Sequence, residues 1–108
     1  MIMKNIIKSK LEFQKIYSEG KKFSDNRILI CVMKGTGRVA FAAGKKLGKA
    51  TLRNRLKRLL RECYRLNSND IRDDVDIIIM ARFGLVNKKL DAAVNSFNYL
   101  KKRAEILK

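Results

Sequence analysis

The chain has 108 residues, with 26 Lys and Arg against 10 Asp and Glu, for a net charge of +16; that length makes one domain, residues 1–108, and leaves no room for a second. Since 46% of its residues are apolar, it is globular in composition rather than a disordered basic tail. A folded domain this basic repels itself unless a polyanion is at hand, either nucleic acid or an anionic membrane surface. Membrane is the weaker of the two, because no stretch approaches the roughly 18 apolar residues of a span.

The opening MIMKNIIKSK lacks an apolar h-region and an A-x-A-like cleavage site, so the expectation is a cytoplasmic protein. Ser9-Lys10-Leu11-Glu12 has the S-x-x-E form of a capping box, and Leu11, Phe13, Ile16 and Tyr17 follow before Gly20, which predicts a short first helix. The apolar runs at 28–33 and 38–44 flank Lys34-Gly35-Thr36-Gly37, so they are expected to pair as an antiparallel hairpin. Residues 45–65 predict a long helix closed by the turn-rich Asn67-Ser68-Asn69-Asp70, and VDIIIMA at 75–81 reads as a buried strand. Leu90, Val94, Phe97, Leu100, Ala104 and Leu107 recur every three or four residues, so the chain is expected to end in helix. The predicted order is α-β-β-α-β-α, an α+β sandwich. Cys31 and Cys63 lie in apolar runs without the companions of a zinc site and read as reduced core thiols.

The stretch from 45 to 65, KKLGKATLRNRLKRLLRECYR, holds nine basic side chains and one acidic one. At about 100° per residue, Arg53, Asn54, Lys57, Arg58, Arg61 and Arg65 share an arc of roughly 140°. Leu52, Leu56, Leu59, Leu60, Cys63 and Leu66 fall opposite, with Arg55 and Glu62 near the boundary. Solvated helix faces normally mix signs, because like charges at i, i+4 cost a few tenths of a kcal/mol each. Here Arg53, Lys57, Arg61 and Arg65 form consecutive like-charged i, i+4 pairs, which points to an absent anion. The preference for Arg suits bidentate phosphate contacts. Phe13 and Tyr17, also i, i+4, are either core or a platform for unpaired bases.

The run Gly44-Lys45-Lys46-Leu47-Gly48-Lys49-Ala50-Thr51-Leu52-Arg53-Asn54-Arg55-Leu56-Lys57-Arg58-Leu59-Leu60-Arg61 resembles the S/G-K-K-x-G-x-A-x-x-R-N-x-x-K-R-x-x-R signature of the bacterial ribonuclease P protein subunit. FQKIY at 13–17, RVAFAAGKK at 38–46 and IIIMAR at 77–82 also follow the family's order, so the resemblance spans roughly residues 8–107. It implies a subunit that binds a catalytic RNA and the 5′ leader of precursor tRNA, promoting endonucleolytic removal of the leader. It further implies a left-handed β-α-β crossover, as in domain 2 of ribosomal protein S5, against the usual right-handed rule.

Carried over by position, the resemblance puts Lys45, Lys46, Lys49, Arg53, Arg55, Arg58 and Arg65 on the RNA subunit. Asn54, Lys57 and Arg61 would lie nearer the leader, with Phe13 and Tyr17 in a cleft between sheet and helices. It implies no catalytic residue, no protein-bound metal or cofactor, Mg²⁺ required by the RNA-containing holoenzyme, and no obligate protein partner. Ala42 and Gly44 stand where many members have serines, and Val32 where an aromatic residue is common, which alters the expected leader contacts. Another basic RNA-binding module, such as a ribosomal protein, is the alternative. A self-sufficient nuclease is disfavoured: the chain has no His, and the acidic stretch of Asp73, Asp74 and Asp76 has no companions that would complete a two-metal site.

Overall fold

The computed structural model describes residues 6–108; the first five, part of the stretch read for a targeting signal, lie outside them. Helix α1 (Lys10–Glu19) begins where the Ser9 hydroxyl accepts the Glu12 amide at 3.3 Å. Only this half of the capping box forms, because the Glu12 carboxylate turns to the Arg38 guanidinium instead. Strands β1 (Lys21–Ser24), β2 (Ile28–Lys34) and β3 (Val39–Ala43) follow, then helix α2 (Ala50–Asn67), strand β4 (Val75–Ala81) and helix α3 (Leu90–Arg103). The order is therefore α-β-β-β-α-β-α. The sequence pattern missed β1 because this four-residue edge strand carries two lysines and only one half-buried residue, Phe23.

The expected hairpin does not form. The sheet order is β1-β2-β4-β3: β4 lies between β2 and β3, antiparallel to the first and parallel to the second. Strand β4 is buried at every position but Met80, and a strand that apolar on both faces needs a neighbour on each side. The β2–β3 loop instead spans the start of β4. Asp76 accepts the amides of Thr36 (3.1 Å) and Arg38 (2.9 Å) and the Arg38 guanidinium (2.8 Å). Gly35 sits so close that a Cβ would overlap the Asp76 carboxylate. Burial raises the Asp76 carboxyl, but Arg38 and the two amides outweigh it and hold the pKa below its ordinary value.

Alternation along the strands gives each face its own core. Ile28, Ile30, Val39, Ile77 and Ile79 pack under α2 and α3, which contribute Leu56, Leu60, Phe97 and Leu100. The opposite face is smaller: Cys31, Ala40 and Ile78 pack with Ile7 and Ile16 beneath α1. Val32 belongs to the first face, so the position noted as aromatic in relatives does not face α1 here. Both cysteines are free and buried, and burial pushes the Cys63 thiol up to about 12.

Helix α3 stops at Arg103, short of the last residue in its apolar pattern. Glu105 turns the chain with φ 56°, and Leu107 pairs with Ile71 in a β-bridge. The terminal segment thereby supplies backbone partners to the α2–β4 connection, through Arg72 N to Ile106 O and Lys108 N to Asp70 O, both 2.8 Å. Lys101, only 3% exposed, donates to the Asn67 carbonyl (2.6 Å) and Asp70 (2.8 Å), binding the end of α2 to α3.

Candidate nucleic-acid interface

Leu56, Leu60, Cys63 and Tyr64 are the buried residues of α2. Leu66 is 49% exposed and Leu59 half-buried, so the docked arc is turned roughly 50° from the leucine stripe, at 100° per residue. The cause is Tyr64, whose ring sits 5.7 Å from Phe41 and 6.2 Å from Phe97. An aromatic side chain buries more area than a leucine, and it draws the helix round towards it. Burial also pushes the Tyr64 hydroxyl up to about 12, and the Ser68 side chain is its partner.

This rotation redistributes the basic residues. Arg53 and Lys57 become half-buried, while Arg55, which the sequence put at the boundary, joins Asn54, Arg58, Arg61 and Arg65 in solvent. Thr51, Asn54, Lys57, Arg58 and Arg61 line one open groove with no carboxylate in it. Arg61 rests over the edge of the sheet, its guanidinium 5.6 Å from the Phe41 ring. Arg65 differs from its neighbours: Glu62 pairs with it, and the Nε–Oε2 distance is 3.1 Å. That hydrogen bond lowers the Glu62 carboxyl and raises Arg65. Arg53 spends its Nε on the Gly48 carbonyl at 3.2 Å. Helix α2 also begins without a side-chain cap and without an acid in its first turn, so nothing on the helix itself offsets the positive end of its dipole.

Phe13 and Tyr17 are elsewhere. Helix α1 packs on β2 and β4 across the face opposite α2, so the two aromatics and the trio Asn54, Lys57 and Arg61 do not meet in one cleft. On α1 the two rings are stacked, 6.4 Å between centroids and 7° between planes, with the Lys22 ammonium 4.6 Å from the Tyr17 centroid. Tyr17 is 40% exposed; Phe13 is half-buried against the smaller core. Beyond α1 the same sheet face continues through half-buried Leu29, Met80 and Ala42.

Met80 also lines an opening where β3 and β4 end, together with Gly44, Lys45, Lys46, Arg82 and Phe83. Lys45 and Lys46 stand on a separate 3-10 turn (Lys45–Leu47) and frame this opening rather than the α2 groove, and Lys49 is exposed at the start of α2. The sequence reading missed Arg82 and Phe83. Their signal was an Arg-Phe pair directly after a buried strand, at the carboxyl end of a parallel pair, where open sheets commonly take ligands. Asp76, from the stretch weighed as a metal site, is committed to Arg38 and two amides.

The Ribonuclease P family model matches residues 1–105. The ribonuclease P protein component of Clostridium acetobutylicum is 36% identical over 104 residues, covering 87% of each chain. That of Fusobacterium nucleatum is 49% identical over 81 residues, covering 72% of this chain and 73% of the relative. Among solved structures, the Staphylococcus aureus RNase P protein superposes with a TM-score of 0.80 at 27% identity, over 97% of this chain and 99% of that one. The Thermotoga maritima protein gives 0.79 at 27% identity, over 92% and 97%.

Proposed function

Because the chain belongs to the ribonuclease P protein family and is thus a subunit of that enzyme, we propose that its α2 face binds the phosphates of the RNA subunit, and that its α1 face takes the unpaired 5′ leader of precursor tRNA. The observation that carries this reading is the groove of Thr51, Asn54, Lys57, Arg58 and Arg61, which gathers three cations without one carboxylate. Arg55, Arg58 and Lys49 are its exposed RNA-subunit contacts, and Arg65 adds a contact when Glu62 releases it. Arg53 serves chiefly by holding the Gly48 turn, which sets where the Lys45–Leu47 turn meets α2.

On the other face, stacked Phe13 and Tyr17 offer a surface that accepts any base. Asn54, Lys57 and Arg61 extend RNA-subunit contacts and reach the leader only where it rounds the β3 edge, beside Phe41. Precursor tRNA, through its leader, and the RNA subunit are the partners. The chain works in the cytoplasm and needs no further protein.

Hydrolysis belongs to the RNA. Phosphodiester cleavage needs an activated water and stabilised leaving oxygen, usually through metals on clustered carboxylates or a His near neutral pKa. With no His available, Arg cannot act as a base and Lys would need strong desolvation. The protein's part is to screen phosphate repulsion, so that RNA holding Mg²⁺ binds substrate at lower Mg²⁺. The test is precursor tRNA incubated with protein, with a bacterial ribonuclease P RNA, and with both, at low Mg²⁺. Cleavage only with both is the expected result. Cleavage by protein alone, or no stimulation of the RNA, would overturn the reading.

A further inference from the structure

Where α2 and α3 end, an opening of about 470 Å³ lies between them, within the size range of small-ligand sites. Both helices cover the larger core, so it is on the opposite side of the sheet from α1. Its lining is firmly held. The ammonium of Lys101, a residue only 3% exposed, donates to Asp70 Oδ1 at 2.8 Å and to the Asn67 carbonyl at 2.6 Å. The Lys108 amide donates to the Asp70 carbonyl at 2.8 Å, so Asp70 is fixed at both ends while its side chain stays 57% exposed. Asn67 commits its Nδ2 to the Cys63 carbonyl (3.0 Å), which leaves its side-chain oxygen as an acceptor. Asn98 and Lys102 line the opening from α3, and their side chains have no partner among the described residues.

Fixed acceptors thus come from the α2–β4 connection and unpartnered donors from α3. An inorganic anion fits poorly beside the Asp70 carboxylate, and a divalent cation fits poorly beside two lysines. Leu66, 49% exposed, and Leu107 add apolar surface, so the matching ligand is flat, apolar on its faces and polar on its edges. An unpaired nucleobase has that form. Guanine is the base with two N–H donors on one edge, N1 and N2, and two acceptors, O6 and N7, on the next. Asp70 suits the first pair; Asn98 and Lys102 suit the second. Asn67 stands six residues beyond Arg61, about 9 Å along the helix, with exposed Arg65 between them. A strand lying on the arginine groove has only a short step to the opening.

We propose that this opening takes one unpaired guanosine of the RNA subunit, its N1–H and N2–H donating to Asp70 while the Asn98 amide and the Lys102 ammonium donate to O6 and N7. The inference rests on the reading that α2 faces the RNA subunit. It adds base readout to a surface whose other contacts are to phosphate: the arginines position the strand, and the opening identifies one base in it.

Analogue interference provides the test, with RNA subunit carrying either inosine, which lacks the N2 amino group, or 7-deazaguanosine, which lacks N7, scattered over its guanosine positions. At one and the same unpaired guanosine, each analogue should weaken wild-type binding roughly fivefold to a hundredfold. Asp70→Asn should erase the inosine effect there, and Asn98→Ala and Lys102→Met the 7-deazaguanosine effect. Because Asp70 also holds Lys101, its variant is read beside Lys102→Met, an exposed change that should leave the melting temperature as it was. No interfering position, interference that persists in all three variants, two analogues that select different guanosines, or interference found on precursor tRNA instead would overturn the proposal. The two readings fail separately: wild type that neither binds nor stimulates the RNA sinks the function, whereas wild type that does both without analogue interference sinks only this site.

Discussion

Helices α1 and α2 lie on opposite faces of one sheet and are held there by different forces. Helix α2 buries Leu56, Leu60, Cys63 and Tyr64 in the larger core, so apolar contact chiefly seats it and most of its cations face solvent. Helix α1 buries only Ile16 and relies on polar ties: Glu12 to Arg38 and on to Asp76 near its start, and the Cys31 thiol donating to Ile16 O at 3.0 Å towards its end. Its own acids leave little net charge to attract phosphate, and its stacked rings remain half open. The lesson is a division of labour within one small fold. One face presents charge on an apolar anchor; the other presents aromatic surface on a polar anchor.

The contrast breaks first at the anchors. Leu60→Ala should cost about 2–5 kcal/mol of global stability in a denaturant titration. Ile16→Ala should cost less and act locally, with faster amide exchange confined to residues 10–19. If Ile16→Ala unfolded the whole chain as readily as Leu60→Ala, α1 would belong to the same cooperative unit and the division would fail.

Next is the polar anchor. Asp76→Asn should destabilise by about 1.5–3 kcal/mol, because it weakens three hydrogen bonds to a charged acceptor. The sign of its pH dependence follows from the lowered carboxyl pKa. Its stabilising contribution is complete above the unfolded-state value near 4 and is lost as pH falls through the folded-state value below it. Thermal melts between about pH 6 and 2 should therefore fall more steeply for wild type than for Asp76→Asn. Parallel curves would show that the carboxylate is not the tie.

A third pair of variants sharpens the functional contrast. Tyr17→Ala should lose on the order of 1–3 kcal/mol of affinity for precursor tRNA and none for mature tRNA. Arg58→Ala should instead weaken the RNA subunit and reduce the slope of log K against log[salt] by up to about one. Exchange of these two signatures would invert the assignment of the faces.

The smallest effect tests the one compensated cation on α2. Glu62→Gln removes the partner of Arg65, so RNA-subunit affinity should rise slightly and its salt dependence steepen. Melting temperature should hardly move, since both groups are solvent-exposed. An unchanged salt slope would place Arg65 off the RNA.

Much of the fold was legible locally. Ser9 capped the first helix as its spacing implied, VDIIIMA became β4 with its predicted bounds, and the basic helix docked by its apolar side. Strand β1 escaped notice because a short lysine-bearing edge strand has no apolar alternation. Arg82 and Phe83 escaped notice because nothing in an Arg-Phe pair says that Lys45 and Lys46 will stand beside it.

By itself, the sequence determined the charge, the periodicities and the motif order, and so the family and the presence of a strongly basic helix face. Those are one-dimensional quantities, written in residue type and spacing. Tertiary structure alone decided that β4 enters between β2 and β3, that Tyr64 turns α2 away from its leucine stripe, and that the lysines before α2 face Phe83 rather than the arginine groove. Each of these depends on which distant segment best fills an apolar surface. A Gly-rich loop fits a tight hairpin or a span across β4 equally well, and only the burial of β4 on both sides chooses between them.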